Sequence, residues 1–155
     1  MEDSVSIRLL APGELGQLLE LYRELHPEDP DVTESPALGP LWEDICRDPD
    51  MAIVVAEANG LIVSSCTLAI IKNLTRGLRP YAVVENVITR PRYRNRGYGT
   101  LVLQKAIGLA RERGCYKVML LSGSKQEETL RFYENAGFLR GVKTGFIVDL
   151  CESPR

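Results

Sequence analysis

The sequence has little of the chemistry that marks metal, redox or membrane proteins. It contains one histidine and four cysteines, and no two cysteines form a CxxC pair, so we predict no metal site. No apolar run approaches the roughly 20 residues of a membrane-spanning helix, and the acidic N terminus does not resemble a signal peptide. The net charge of −2 gives no reason to expect a nucleic-acid or membrane partner. We therefore expect a cytoplasmic protein.

Composition and hydrophobic spacing predict one domain over residues 1–155, with its core at about residues 5–150. A chain of 155 residues with 45% hydrophobic residues can bury a substantial core. Leu15, Leu18 and Tyr22 recur at helical spacing, and the nearly continuous apolar run at residues 81–89 is typical of a strand inside a sheet. Helices are predicted at residues 12–25, 35–48, 101–113 and 126–136, and strands at 6–10, 51–58, 61–71, 81–89, 117–121 and within 138–150.

The order of these elements predicts an α/β (α+β) fold. Asn59-Gly60 is a two-residue hairpin signal between two strands. The strand-helix-strand unit at residues 81–121 predicts a right-handed crossover between parallel strands. We expect a mixed, mostly antiparallel central sheet with helices on both faces.

The most informative segment is Arg94-Asn95-Arg96-Gly97-Tyr98-Gly99-Thr100, which lies between a predicted strand and a predicted helix. A glycine-rich turn there can direct several backbone N–H groups at one anion, and arginines add charge for phosphate oxygens. The segment lacks the P-loop pattern, and Val102 stands where a dinucleotide fingerprint needs its third glycine. A ligand with a phosphate or pyrophosphate is predicted.

Two further segments make this pattern more specific. The turn matches R/Q-x-x-G-x-G/A, its lead-in at residues 89–94 matches V-x-P-x-x-R in part, and Phe132-Tyr133-Glu134-Asn135-Ala136-Gly137-Phe138 matches F-Y-x-x-x-G-F. Together they resemble the GCN5-related N-acetyltransferase (GNAT) superfamily. The resemblance covers about residues 51–150, and more weakly the N-terminal part.

The resemblance implies acetyl-CoA, or another acyl-CoA, as the cofactor. Backbone N–H groups from Arg94 to Thr100 would hold the pyrophosphate, and Val87, Ile88 and Thr89 would pair with the pantetheine arm where two parallel strands splay. Gln126 would reach the CoA arm with its amide, although the family often has asparagine there. A homodimer through the last strands is a further family-level expectation.

Glu85 and Tyr133 are the candidate catalytic residues for acyl transfer to an amine. Glu85 lies on the strand that ends at the predicted CoA site, and partial burial among valines would raise its pKa toward that of a useful general base. The resemblance places Tyr133 near the CoA sulfur as general acid, and the backbone N–H of Ile88 near the thioester oxygen. An ordinary surface glutamate and a core aromatic are the structural alternatives.

The acceptor pocket has no motif, and its candidates come from the N-terminal helices that cover it in this family. These are His26, Asp29 and Trp42, with helix capping as the alternative for His26. Asn86 should face away from Glu85, as a substrate contact or a bridge between the splayed strands. The arginines at positions 90, 92, 94 and 96 are assigned to the CoA phosphates rather than to nucleic acid.

These residues predict an N-acetyltransferase that moves an acetyl group from acetyl-CoA to a primary amine of a small molecule or peptide, by direct attack in a ternary complex. One alternative is a non-catalytic acyl-CoA-binding sensor or interaction module. The other is an enzyme that acetylates a macromolecule, such as a protein N terminus or an aminoacylated tRNA.

Overall fold

The computed structural model describes residues 4–151. Among these residues, no helix combines the length and the apolar character needed to cross a membrane. Short 3₁₀ turns occur at Pro12–Glu14 and Pro91–Tyr93. The helices and strands, in chain order, are β1 (Val5–Leu9), α1 (Leu15–Leu25), α2 (Leu38–Arg47), β2 (Met51–Ala58), β3 (Leu61–Ile71), β4 (Tyr81–Thr89), α3 (Tyr98–Glu112), β5 (Val118–Met119) and α4 (Glu127–Asn135).

The five strands form one mixed sheet in the order β1-β2-β3-β4-β5. All neighbours are antiparallel except β4 and β5, which are parallel and joined through α3. The predicted hairpin is present, because Asn59 and Gly60 both have positive φ, at 51° and 80°, which a tight two-residue turn requires. The predicted fold class is confirmed.

Alternation along the strands creates a core on each face of the sheet. Val54 and Ala56 of β2 pack with residues of α3, such as Val102, whereas Val55 packs with Leu21 of α1. Neighbouring residues of a strand point to opposite faces, so one strand contributes to both cores. The prediction of helices on both faces is therefore also confirmed.

A bulge interrupts β4 just before the predicted CoA site. Glu85 pairs with Thr67, and Ile88 pairs with Ser65, so two residues of β4 lie opposite one residue of β3. Asn86, inside the bulge, has a positive φ of 51°. Because β5 pairs only with Ala82 and Val83, the rest of β4 has no partner on that side among residues 4–151. The two parallel strands therefore diverge at the residues for which pantetheine pairing is predicted.

Several predicted boundaries differ from the structure. The strand predicted at residues 117–121 is reduced to Val118–Met119, which pair with Ala82 and Val83 of β4. The helix predicted from residue 101 begins at Tyr98, so part of the glycine turn is its first turn. The helix predicted from residue 35 begins at Leu38, since Ser35 and Pro36 lie in a preceding turn.

The prediction of a strand within residues 138–150 is wrong for the single chain. None of the described residues from 138 to 151 is in a strand, and most of their side chains are exposed. A strand needs a neighbour for its backbone N–H and C=O groups, and this segment lies along no sheet edge within residues 4–151. The apolar pattern of the segment is that of a strand, but a lone chain supplies no partner.

Candidate active site

The predicted anion turn is a loop that ends in the N terminus of α3. Gly97 has a φ of 85°, and Asn95 also has positive φ. The backbone N–H of Leu101 donates to the Gly97 carbonyl, so the N–H groups of residues 98–100 precede the first intrahelical bond and point out of the helix end. A Cβ at Gly97 would meet nothing within 4 Å, which leaves open space above these donors. The geometry is that of an anion site.

Close packing joins this helix end to α4 and to the end of β4. A Cβ placed on Gly99 would lie 2.9 Å from Phe132 Cζ and 3.2 Å from Thr89 Oγ1. Thr89 Oγ1 in turn lies 2.8 Å from the Ser64 hydroxyl. Glycine is needed at position 99 because α4 and β4 both approach its Cα. The glycine turn and the F-Y segment, which are far apart in sequence, therefore meet in the structure.

The arginines near the turn differ in their exposure and in their contacts. Arg92, Arg94 and Arg96 are exposed, and Arg96 lies over the Tyr93 ring at 5.4 Å. Arg90 instead turns to α1, where its Nη1 lies 2.6 Å from Glu24 and its Nε donates to a backbone carbonyl of β3. Assigning Arg90 to a CoA phosphate is therefore wrong, because its guanidinium already pairs with a carboxylate.

Glu85 and Tyr133 line one cavity of about 990 Å³. Burial raises the pKa of Tyr133 above its ordinary value, and the negative charge of Glu85 raises it further. The phenol therefore keeps its proton at neutral pH. Glu85 is exposed and lines the open cavity, so the partial burial predicted from its valine neighbours is not found. The structure brings together the two candidate catalytic groups.

The acceptor-side candidates are divided between two places. His26 and Asp29 line a second cavity of about 220 Å³ between α1 and the segment that follows it. His26 is exposed and its Nδ1 lies 3.4 Å from Glu28. Trp42 does not line this cavity: its Nε1 donates to the Pro12 carbonyl at 2.9 Å and so links α2 to the 3₁₀ turn that precedes α1.

Helical spacing alone predicts Tyr22 as a packing residue, but its hydroxyl also makes polar contacts. Its hydroxyl lies 3.4 Å from Thr67 Oγ1, and it also hydrogen-bonds the side chain of Asn86. Burial raises the pKa of Tyr22. Thr67 faces Glu85 across the strands, so this cluster supports the bulge beside the candidate base. Asn86 thus interacts with Tyr22 of α1, and its predicted role as a substrate contact or a bridge stays a prediction. The sequence signal for these contacts was a tyrosine among the leucines on the core-facing side of α1, because a buried hydroxyl needs a hydrogen-bond partner.

Gln126 precedes α4 as its N-cap residue and is exposed. Its side chain makes no capping hydrogen bond, while its backbone N–H donates to the Ser124 hydroxyl at 3.2 Å. The amide group of Gln126 is thus not engaged in capping its own helix. Its predicted contact with the CoA arm stays a prediction.

The site thus combines outward-pointing backbone N–H groups, a strand edge that has no partner among residues 4–151, and a carboxylate–phenol pair in one cavity. The family model described as "Acetyltransferase (GNAT) family" matches residues 16–138 of this chain. The chain therefore belongs to the GNAT family of acetyltransferases and is an acyltransferase.

Individual relatives span most of the chain. Glucosamine 6-phosphate N-acetyltransferase of Trypanosoma brucei brucei is 32% identical over 142 residues, which cover 86% of this chain and 88% of that protein. A putative acetyltransferase from Agrobacterium tumefaciens has a solved structure with a TM-score of 0.87 and 45% identity, covering 93% of this chain and 99% of that one. N-alpha-acetyltransferase 30 of Xenopus laevis is 34% identical over 99 residues, which cover 64% of this chain and 33% of that protein.

Proposed function

We propose that this protein transfers an acetyl group from acetyl-CoA to a primary amine of a small molecule, by direct attack in a ternary complex. The observation that carries the proposal is the shared cavity of Glu85 and Tyr133, which lies beside the divergence of β4 and β5. One group can accept a proton and the other can donate one. Acyl transfer to an amine needs both functions.

The residues around the glycine turn fit an acyl-CoA. The N–H groups at the start of α3 and the open space at Gly97 suit a pyrophosphate, and Arg94 and Arg96 add positive charge nearby. The edge of β4 that faces away from β3 has no partner at residues 87–89 within residues 4–151, and it suits an amide-containing arm that pairs like a strand. Gln126 is proposed as a further contact, with Asn95 in the turn. When bound, acetyl-CoA supplies an acyl group activated as a thioester.

Glu85 is proposed as the general base. A primary ammonium must lose a proton before its nitrogen can attack, and an exposed carboxylate can accept that proton directly or through water. Tyr133 is proposed as the general acid, because its raised pKa keeps a proton on the hydroxyl for the departing thiolate. The backbone N–H of Ile88 is proposed as the donor to the carbonyl oxygen.

A phosphorylated amino sugar is the first acceptor to test. One relative is a glucosamine 6-phosphate N-acetyltransferase. The cavity is also lined by Arg111, Lys117 and Lys143, whose charges would attract a phosphate. His26, Asp29 and Asn86 remain proposed acceptor contacts, and Trp42 is proposed only to hold α2 in place.

A peptide N terminus is a second candidate acceptor, because one relative is N-alpha-acetyltransferase 30. The smaller cavity beside α1 is open at the surface and carries the exposed His26 and Asp29, which suit a cationic chain end. The cytoplasmic location and the lack of nucleic-acid and membrane partners stay predictions.

A thiol-release assay tests the proposed function. The protein and acetyl-CoA are mixed with glucosamine 6-phosphate, unphosphorylated glucosamine and a panel of peptides, and each product is confirmed by mass. We expect turnover with the phosphorylated amine above the rate of hydrolysis without amine. A rise in melting temperature with acetyl-CoA, but no turnover with any amine, would favour the sensor alternative.

A homodimer is also proposed. A run of exposed apolar side chains follows α4, including Phe146, Ile147, Val148 and Leu150. Such a run is unusual on the surface of a single chain.

A further inference from the structure

Two positively charged side chains beside the cavity of Glu85 have no carboxylate partner. Lys117 Nζ lies 5.1 Å from the centre of the Tyr81 ring and 5.2 Å from that of the Tyr116 ring. Arg76 Cζ lies 5.9 Å from the centre of the same Tyr116 ring. Within residues 4–151, neither cation forms an ion pair with a carboxylate. We call Arg76, Tyr81, Tyr116 and Lys117 the basic–aromatic cluster, and its two like charges would both attract an anion.

The loop between β3 and β4 holds Arg76 in the cluster with an uncommon backbone conformation. Arg76 and Leu78 have positive φ, at 55° and 64°, a region that residues other than glycine rarely adopt. Asn73 Nδ2 donates to the Arg79 carbonyl at 3.1 Å, and the Arg79 guanidinium donates to the Cys115 carbonyl at 3.4 Å. The loop is therefore fixed against the turn before β5. Strained backbone of this kind persists where its surroundings hold it, and it is frequent at ligand sites.

The cluster and Glu85 lie on the same face of the sheet. Ala82 belongs to the core beside α3, so Tyr81 faces away from α3, and by the same alternation Glu85 does too. Lys117 is next to the Tyr81 ring and lines the same cavity as Glu85. A strand rises about 3.3 Å per residue, so residues 81 and 85 are about 13 Å apart. One small molecule can therefore contact Glu85 with one end and the cluster with the other.

We infer that the basic–aromatic cluster binds a negatively charged group of the acceptor, a phosphate or a carboxylate, about 10 Å from the amine that reacts beside Glu85. This inference rests on the proposed acetyl transfer. The ammonium of Lys117 and the planar guanidinium of Arg76 both donate to anionic oxygens, and the tyrosine rings hold the two cations in place.

The charges at the two ends of the cavity also orient the acceptor. Lys117 and Arg76 attract its anion and repel its ammonium, whereas the carboxylate of Glu85 attracts the ammonium. An acceptor with both groups therefore binds in one direction, with its amine at the candidate base. The enzyme should prefer such an amine to an uncharged amine of the same length.

Amines that differ in charge and in length test this specificity. We expect a higher kcat/KM for aminohexyl phosphate and aminohexanoate than for aminohexanol, and their ratio shows which anion the cluster prefers. Aminoethyl phosphate carries the same phosphate but is too short to span the cavity, so it should lose the advantage. Equal kcat/KM for the charged and uncharged aminohexyl compounds overturns the inference.

Substitution of Lys117 tests the cluster itself. Lys117→Gln should raise the KM for aminohexyl phosphate at least about tenfold, because a hydrogen bond between charged groups is lost. The KM values for aminohexanol and acetyl-CoA should not change, and Lys117→Arg, which keeps the charge, should retain most of the affinity. Lys105→Gln is the matched control, since Lys105 is exposed on α3 and does not line the cavity. The same KM in Lys117→Gln and Lys105→Gln contradicts the inference.

Inorganic phosphate tests the cluster without any turnover. Saturating CoA first occupies the glycine turn, and phosphate is then titrated while the backbone amide chemical shifts of isotope-labelled protein are followed. We expect shifts at Tyr116 and Lys117, and at least about tenfold weaker binding when Arg76→Gln and Lys117→Gln are combined. The amide spectrum of this double variant also shows whether it is folded, and Arg76→Gln alone, at an exposed position, repeats the test.

The outcomes of the phosphate titration separate the two proposals. Equal phosphate affinity in the wild type and in the variants overturns the cluster as an anion site. Weaker phosphate binding in the variants, together with no acetylation of any amine by the wild type, contradicts only the proposed function.

Discussion

The anion turn at residues 94–100 is assembled from neighbouring residues, whereas the cavity with Glu85 and Tyr133 is lined by β4, α3, β5, α4 and the segment after α4. Backbone N–H groups and glycine conformations make the turn, and these depend on local sequence. Side chains from distant positions make the cavity. The comparison shows why cofactor use is readable in this family from a short motif, while the acceptor is not.

The two regions also differ in how closely they are packed. The glycine turn packs against α4 and β4, where Gly99 lies close to Phe132 and Thr89. The cavity is open beside β5, with exposed apolar residues near its rim. Changes at the turn should therefore affect cofactor binding, and changes in the cavity should affect turnover. The following variants can separate the two.

The largest effect is expected for Glu85→Gln. Loss of a general base lowers kcat/KM by about 10² or more, and most strongly at low pH, where the amine is protonated and needs a proton acceptor. Initial rates measured across a pH series check this, while the melting shift with acetyl-CoA should be unchanged. Glu134→Gln is a control in the same cavity, because Glu134 already pairs with Arg140 at 2.9 Å. An unchanged pH profile would remove Glu85 from the role of base.

Tyr133→Phe should slow turnover by about 10² while leaving acetyl-CoA affinity nearly intact. Because burial and Glu85 raise the pKa of Tyr133 above its ordinary value, wild-type kcat should fall only when the pH rises through that raised pKa. The kcat of the variant should not show this fall at high pH. Equal kcat in both proteins would leave Tyr133 as a packing residue.

Gly99→Ala should destabilise the packing around the glycine turn and weaken the binding of acetyl-CoA. Its Cβ would meet Phe132 and Thr89 at 2.9 and 3.2 Å, and overpacking of this kind costs about 1–3 kcal/mol. We expect a lower melting temperature and a higher KM for acetyl-CoA, with a smaller change in kcat. Gly108→Ala is the matched control in the same helix, where a Cβ meets nothing within 4 Å and alanine should stabilise by about 0.5–1 kcal/mol. Equal behaviour of both variants would contradict the close approach of α4.

The smallest effect is expected for Tyr22→Phe. The hydroxyl supports Thr67 and Asn86 beside the β4 bulge, and loss of one such hydrogen bond costs about 0.5–1.5 kcal/mol. A modest fall in kcat with unchanged KM for acetyl-CoA is expected, because the bulge positions Glu85 and not the anion turn. Thr67→Val should reproduce the effect. If stability falls but kcat stays constant, the cluster serves only the fold.

Sequence reasoning located the strong periodic elements and the glycine turn before α3 correctly, but not the ends of the sheet. The hairpin at Asn59-Gly60 and the buried strand Tyr81–Thr89 carry local signals, and both are present. The segment at 138–150 carries the pattern of a strand but has no partner among residues 4–151. The ion pair of Arg90 and the hydrogen bond of Tyr22 were not predicted, because both depend on how α1 lies across the sheet.

The sequence by itself determined the order of the elements, the mixed sheet, the hairpin at Asn59-Gly60 and the family, because each rests on short-range patterns of apolar residues and glycines. Only the tertiary structure decided that Glu85 is exposed and shares a cavity with Tyr133, that Gly99 must lack a Cβ, and that the cavity is open on one side. These features depend on contacts between residues far apart in the chain, and hydrophobic spacing does not encode them.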